Sequence, residues 1–171
     1  ERKALSSLEK RLNGNFAEAV ELIYKCKGRV IVTGLGKSGI IAQKIVATLN
    51  STGTPAIFLH SADSVHGDLG MIQKRDVVIC ISKSGDTFEL IQLLLAIKQF
   101  DVKIISIVGD ADSKLKELSD VIIDASVEQE ACPYNLAPTT STTAALVIGD
   151  ALAIALLKKK DFTKDEFAML H

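Results

Sequence analysis

The hydrophobic positions of this chain fall into two kinds of run. Five are short, continuous and rich in β-branched residues, at 29–33, 56–59, 76–82, 103–108 and 120–124. Continuous rather than alternating apolar character is the mark of strands buried on both faces, as in a parallel sheet. Between them, 39–50, 87–99 and the shorter 113–118 repeat their apolar residues with the 3.6 period of a helix. Strand–helix alternation of this kind predicts right-handed crossovers and an α/β, three-layer αβα sandwich around a five-stranded parallel sheet. Two further helices precede it. One spans 2–12 and is broken by Asn13-Gly14; the next is capped by Asn15 and runs to Lys25. This N-terminal part, residues 1–27, is expected to pack on the domain or on a neighbouring subunit. The stretch 139–159 is apolar on nearly every face, which predicts a buried helix, partly against another subunit. A short helix over 164–170 ends the chain at His171. No repeat, linker or low-complexity tract divides the 171 residues, so they read as one domain.

Composition narrows the chemistry. With 47% hydrophobic and 24% charged residues the chain can build one substantial core. Its net charge of −1 provides no general basic field for nucleic acid or an anionic membrane. An anionic ligand must therefore be held by local groups. Cys26, Cys80 and Cys132 form no CxxC pair and no metal spacing, and read as reduced thiols of a cytosolic protein. The segment 1–10 is not a signal peptide, and no apolar run reads as membrane-spanning.

In open parallel sheets ligands bind beyond the carboxyl ends of the strands, which selects three loops. The first, Gly34-Leu-Gly-Lys-Ser-Gly39, matches GxGxxG between a strand and a helix. A dinucleotide site wants an acidic residue ending the second strand, where His60 stands, and a P-loop wants a glycine where Ile31 stands. The loop nonetheless lets a backbone approach a ligand at Gly36, places Ser38 at a helix N-terminus and carries one cation, Lys37. The second, Ser82-Lys-Ser-Gly-Asp-Thr87, converges three hydroxyls (Ser82, Ser84, Thr87), Gly85 and backbone N–H groups on a helix start, a phosphate cradle without arginine. The bland alternative is that Ser84 or Asp86 only caps the helix, for which one such side chain suffices. The third loop follows the fifth strand. It contains Glu130 and Pro138, then a run of hydroxyl residues from Thr139 to Thr143 that opens the long apolar helix. An isolated glutamate is commonly a solvated charge.

Taken together, these loops resemble the sugar isomerase (SIS) domain family, whose phosphate loop is Ser-x-Ser-Gly-x-Thr. Within that family the chain is similar to the D-arabinose 5-phosphate isomerases through Gly34 to Gly39, Ser51-Thr-Gly-Thr-Pro55, His66-Gly-Asp-Leu-Gly70, Glu130-Ala-Cys-Pro133, Leu136-Ala-Pro-Thr-Thr-Ser-Thr-Thr143 and Gly149-Asp-Ala-Leu-Ala153. The likeness runs from about residue 29 to residue 171. It implies the SIS, flavodoxin-like fold. It also implies interconversion of D-ribulose 5-phosphate and D-arabinose 5-phosphate, which feeds Kdo and lipopolysaccharide synthesis in Gram-negative bacteria, and a cytoplasmic homotetramer with shared active sites. The family's functional positions fall on Lys37, Glu89, Glu130 and His171, with His66 associated with the site. Two departures stand out. The second residue of the phosphate loop, often Asn in the family, is Lys83. The Pro-Gly-Gly segment and paired CBS modules that follow the domain in many members are missing after His171, which implies a short form or a removed tail. Without CBS modules, the domain itself becomes a candidate receptor for a feedback ligand such as CMP-Kdo.

Aldose–ketose exchange moves a proton between C1 and C2 through an enediolate. On the resemblance, Ser82, Ser84, Thr87 and Ser38 hold phosphate, and Glu130 is the first candidate for the carbon base. His171 shuttles protons or opens the ring, Lys37 stabilises the enediolate, and Glu89 orients Lys37 or shares the acid–base work. Each has an ordinary alternative. Lys37 is also a solvated helix-start side chain, Glu89 is favourable in any first turn, and His66 also suits holding its own loop. His60 reads as structural and Cys132 as packing. His60, His66, His171 and a glutamate match no standard zinc spacing, so no metal and no cofactor are expected. The rival functions are a non-catalytic sugar-phosphate sensor, against which stands the absence of any helix-turn-helix, and an isomerase for a hexulose 6-phosphate.

Overall fold

The computed structural model describes residues 1–12, 14–61 and 67–170. The five continuous apolar runs are five strands: β1 (Val30–Gly34), β2 (Ala56–His60), β3 (Val77–Ser82), β4 (Lys103–Val108) and β5 (Val121–Asp124). They form one sheet in the order β2-β1-β3-β4-β5, every neighbouring pair parallel. Because β1 feeds β2 on one side and β3 lies on its other side, the chain reverses direction across the sheet between β1 and β3. Helices on opposite faces part there and leave a crevice at the strands' carboxyl ends.

Side chains alternate across the sheet and build two cores. Val30, Val32, Ile79, Ile105, Ile107 and Ile123 face one layer; Ile31, Val78, Cys80, Ile104 and Val108 face the other. The first layer holds α1 (Arg2–Glu9), α2 (Gly14–Lys25), α3 (Lys37–Ser51) and α6 (Thr140–Lys159). The second holds α4 (Phe88–Ile97) and the short α5 (Leu115–Leu118). A last helix, α7 (Lys164–Leu170), has no buried residue. Each fully buried Leu or Ile in such a core stabilises the fold by about 1.5–3 kcal/mol.

Several bounds differ from the expectation, each for a local reason. α1 ends at Glu9 rather than at residue 12. Asn15 does not cap α2, which already includes it; its side-chain amide donates to the Ile122 carbonyl at the end of the sheet. α3 begins two residues early, because Gly36 supplies a positive φ that turns the chain straight into the helix. α4 stops at Ile97, and the next residues tighten into a 3-10 turn, Lys98–Phe100, closed by Asp101 in the left-handed region. A second 3-10 turn, Asp68–Met71, follows β2.

α6 corrects one reading. It is long and apolar enough to cross a membrane by length and composition, so the chain does contain such a segment. Half of that stretch is buried inside the fold, where Ala144, Ile148, Leu152 and Leu156 join the core. Its apolar character extends beyond the face it buries here: Val147 and Ile154 stand exposed. The N-terminal helices pack on this chain's own core through Leu8, Ala19, Val20 and Ile23.

Candidate functional site

The crevice at the β1/β3 switch point is a cleft of about 170 Å³. Residues after four strands and along α6 wall it: Lys37 and Ser38 after β1, Ser82 and Lys83 after β3, Gly109 after β4, Ala125 after β5, and Ser141 and Thr142 in the first turn of α6. The glycine loop brings its residues there by close packing. A Cβ on Gly39 would meet the Gly34 carbonyl at 2.8 Å, so only glycine lets α3 start directly against the end of β1. Lys37 and Gly36 are exposed, and Ser38 is half-buried.

The loop after β3, Ser82 to Thr87, is stapled rather than loose. Ser82 Oγ accepts the Gly85 N–H at 3.0 Å and lies 3.5 Å from the Thr87 hydroxyl. Ser84 Oγ accepts the Asp86 N–H at 3.3 Å. Asp86 reaches the next βα loop, accepting the Lys114 N–H at 3.0 Å, while the Leu115 N–H donates to the Gly85 carbonyl at 3.2 Å. Gly85 takes φ of +68° with the Ser113 hydroxyl where a Cβ would stand, so any side chain there breaks the staple. Ser82 thus binds its own loop and also lines the crevice at the end of β3. Ser84, Gly85 and Thr87 are on the loop but not on the cleft wall.

Glu130 is not a solvated charge. Its side chain is 1% exposed and its carboxylate accepts five hydrogen bonds. Oε1 accepts from Lys83 Nζ at 2.7 Å and Ser141 Oγ at 2.5 Å. Oε2 accepts from the backbone N–H groups of Thr139 at 2.9 Å and Ser141 at 3.1 Å, and from the Thr139 hydroxyl at 3.3 Å. Asn135 fixes the Glu130 backbone by accepting its N–H at 2.7 Å. Burial pushes this carboxyl up, but Lys83, Ser141 and the two backbone N–H groups outweigh it and hold it down at about 2. Glu130 therefore caps the N-terminus of α6 from outside and ties it to the loop after β3 through Lys83. It reaches the cleft through its partners Lys83 and Ser141, both on the wall.

The other expected positions are spread out. Glu89 is exposed in the first turn of α4 and does not line the cleft. His66 and His171 lie outside the described residues. His60, at the end of β2, meets the Phe58 ring edge to face. Sequence reasoning passed over Ser141 as a partner of Glu130, although it sits in the hydroxyl run already noted. Cys132, read as a packing residue, is half-buried. The backbone N–H groups of Ala137, Leu136, Tyr134 and Asn135 draw its thiol below the usual range against a small opposing effect of burial. Cys80, sealed in the sheet, is pushed up to about 12 by burial. Among the described residues, no group of three His, Cys, Asp or Glu is placed to hold a metal ion.

Among the described residues, Lys37 and Lys83 are the only charged side chains on the cleft wall, so the site favours an anion. Hydroxyls and the N-terminus of α6 offer it donors.

Comparison with known proteins matches residues 22–155 to the SIS domain family. The chain is 53% identical, over all 171 residues, to a protein of Pseudomonas aeruginosa named arabinose 5-phosphate isomerase KdsD, and covers 52% of that protein. The chain therefore spans about half the length of the curated relatives it matches. A solved structure from E. coli CFT073, in complex with arabinose 5-phosphate, is 41% identical with a TM-score of 0.92; the match covers 99% of this chain and 92% of that one. A putative sugar-phosphate isomerase of Listeria monocytogenes is 36% identical with a TM-score of 0.95, over 99% and 90% of the two chains.

Proposed function

Because the chain belongs to the SIS-domain family, we propose that it is an aldose–ketose isomerase interconverting D-ribulose 5-phosphate and D-arabinose 5-phosphate. The observation that carries this reading is the cleft whose two charged wall residues, Lys37 and Lys83, are both cations. It suits a small molecule with one strongly anionic end. Its volume is well below the roughly 300–1,000 Å³ of drug-sized sites. The names of the similar proteins supply the sugar.

The reaction needs no electron acceptor. A base removes the proton from C2 of the aldose, the enediolate forms with charge on oxygen, and the proton returns to C1. Phosphate is held by Ser38, Ser82, Ser84 and Thr87 with the backbone at Gly36 and Gly85. Lys37, exposed at the cleft mouth, stabilises the enediolate oxygen. Glu130 is the carbon base, ionised as the role requires; it reaches the cleft through Lys83 and Ser141, so one of these donors must give way for it to take the proton. His171 moves the proton between the oxygens, and His66 is a further substrate-binding residue. Glu89 orients Lys37 or shares the acid–base work from the start of α4. We assign the product to Kdo synthesis in the cytoplasm of a Gram-negative bacterium, and the active form to a homotetramer in which His171 serves a neighbour's site. The exposed Val147 and Ile154 on α6 support a subunit contact. Mixing inactive Lys37 and His171 variants then restores activity through hybrids. CMP-Kdo is the proposed feedback ligand, and a rate indifferent to it removes that role.

The direct test is incubation of the purified protein, in EDTA, with D-arabinose 5-phosphate. Rapid equilibration with D-ribulose 5-phosphate while hexose phosphates stay inert is the expected result. Sugar-phosphate binding without turnover makes the domain a sensor instead.

A further inference from the structure

Lys83 stands between two anions. Its ammonium is 2.7 Å from Glu130 Oε1, yet its side chain is 47% exposed and forms part of the cleft wall between Ser82 and Ser141. It belongs to the phosphate loop, so a phosphate bound there lies within reach of the same three N–H donors. Glu130, in contrast, is sealed and cannot turn to another partner without uncapping α6. The ion pair is thus mobile on one side only.

We propose that Lys83 is a positioning residue shared between Glu130 and the substrate's phosphate, so that binding the phosphate weakens Lys83's hold on Glu130 and makes that carboxylate a better proton acceptor. The inference rests on the sugar-phosphate reading of the cleft. The physical reason is competition. A phosphate dianion is a stronger acceptor for an ammonium than a carboxylate already sharing four other donors, and positive charge withdrawn from Glu130 Oε1 raises its affinity for a proton. A carboxylate held at about 2 is a weak base toward carbon, and this coupling strengthens it only when a phosphorylated substrate is in place. Coupling of this kind is reciprocal: neutralising Glu130 must strengthen the grip of Lys83 on phosphate.

A double-mutant cycle at neutral pH reads that reciprocity, with inorganic phosphate as the probe and binding followed by calorimetry and loop-amide NMR shifts. Lys83→Gln is expected to weaken phosphate by about tenfold, a hydrogen bond to a charged group. Glu130→Gln, which keeps an acceptor for the α6 N–H groups, is expected to tighten it by about fivefold or more. In the double variant the gain from Glu130→Gln falls to about twofold or less, the residue of simple charge repulsion. Equal gains in both backgrounds overturn the proposal, because Lys83 would then not be the link. Phosphate that produces no loop-amide shift in the unaltered protein overturns the sugar-phosphate reading and the proposal together, whereas binding with additive effects overturns only the proposal. Kinetics supply a second readout that does not depend on the Glu130 variant folding. Lys83→Gln raises KM for the sugar phosphate and removes the difference between the acid limbs of the kcat and kcat/KM pH profiles, and Lys83→Arg restores both in part. A Lys83→Gln enzyme with unchanged KM and pH profile also overturns it.

Discussion

Two helix starts on the same end of the sheet treat a glutamate in opposite ways. At α4, Glu89 lies within the first turn and is exposed to solvent. At α6, no first-turn carboxylate exists, and Glu130 arrives from the preceding loop to be buried by five donors. The first can be lost with little effect on the fold. The second joins the α6 N-terminus, the loop after β5 and the loop after β3 in one network, so fold and cleft share it. A carboxylate's place in sequence relative to a helix says little about its energy; what matters is how many donors surround it and how little water reaches it.

That contrast can be broken most severely at Glu130. Glu130→Gln is expected to lower turnover by on the order of 10²–10⁴, measured by initial rates with D-arabinose 5-phosphate; near-normal rates would remove it from the base role. Lys37→Met is expected to lower turnover by about 10²–10³, the range for losing one donor to a developing oxyanion. Its melting temperature should not change, because Lys37 is exposed. A loss of stability there would place Lys37 in the fold rather than the chemistry. The next effect is on pH. The folded carboxyl is held at about 2, below its unfolded value, so its stabilisation is complete above about pH 4.5 and is lost as pH falls toward 2. Urea unfolding of the protein and Glu130→Gln should show the stability gap shrinking by on the order of 2 kcal/mol between pH 6 and pH 3. A gap independent of pH would mean that the carboxylate is not held in the charged form. Glu89→Gln is the smallest structural change, within about 0.5 kcal/mol by the same unfolding assay. Turnover should still fall by about tenfold if that side chain orients Lys37, and unchanged turnover takes Glu89 out of the site.

Much of the fold was legible along the chain. β4 and α7 have the expected bounds, and the other strands differ by one residue at one or both ends. Helix ends were less legible, because the 3-10 turns at Lys98–Phe100 and Asp68–Met71 are too short to show a period. The three loops of the site were marked by glycines and hydroxyls crowded at strand ends. What was not legible was the partner of each group. Lys83 and Glu130 are 47 positions apart, and nothing local to either marks the other as its partner. The alternating burial that puts Val32 and Ile31 in different cores was likewise hidden, since both faces of the strand are apolar.

The α/β alternation, the parallel sheet and the loops at the carboxyl ends of the strands could be read along the chain, because strand burial, helix period and backbone-permissive glycines are local properties. The folded arrangement was needed to show that β1 and β3 lie side by side, that Lys37 and Lys83 share one cleft, and that Glu130 is a buried cap rather than a surface charge. Those outcomes depend on which distant donors and apolar surfaces meet, and strand order and packing bring them together across the sheet.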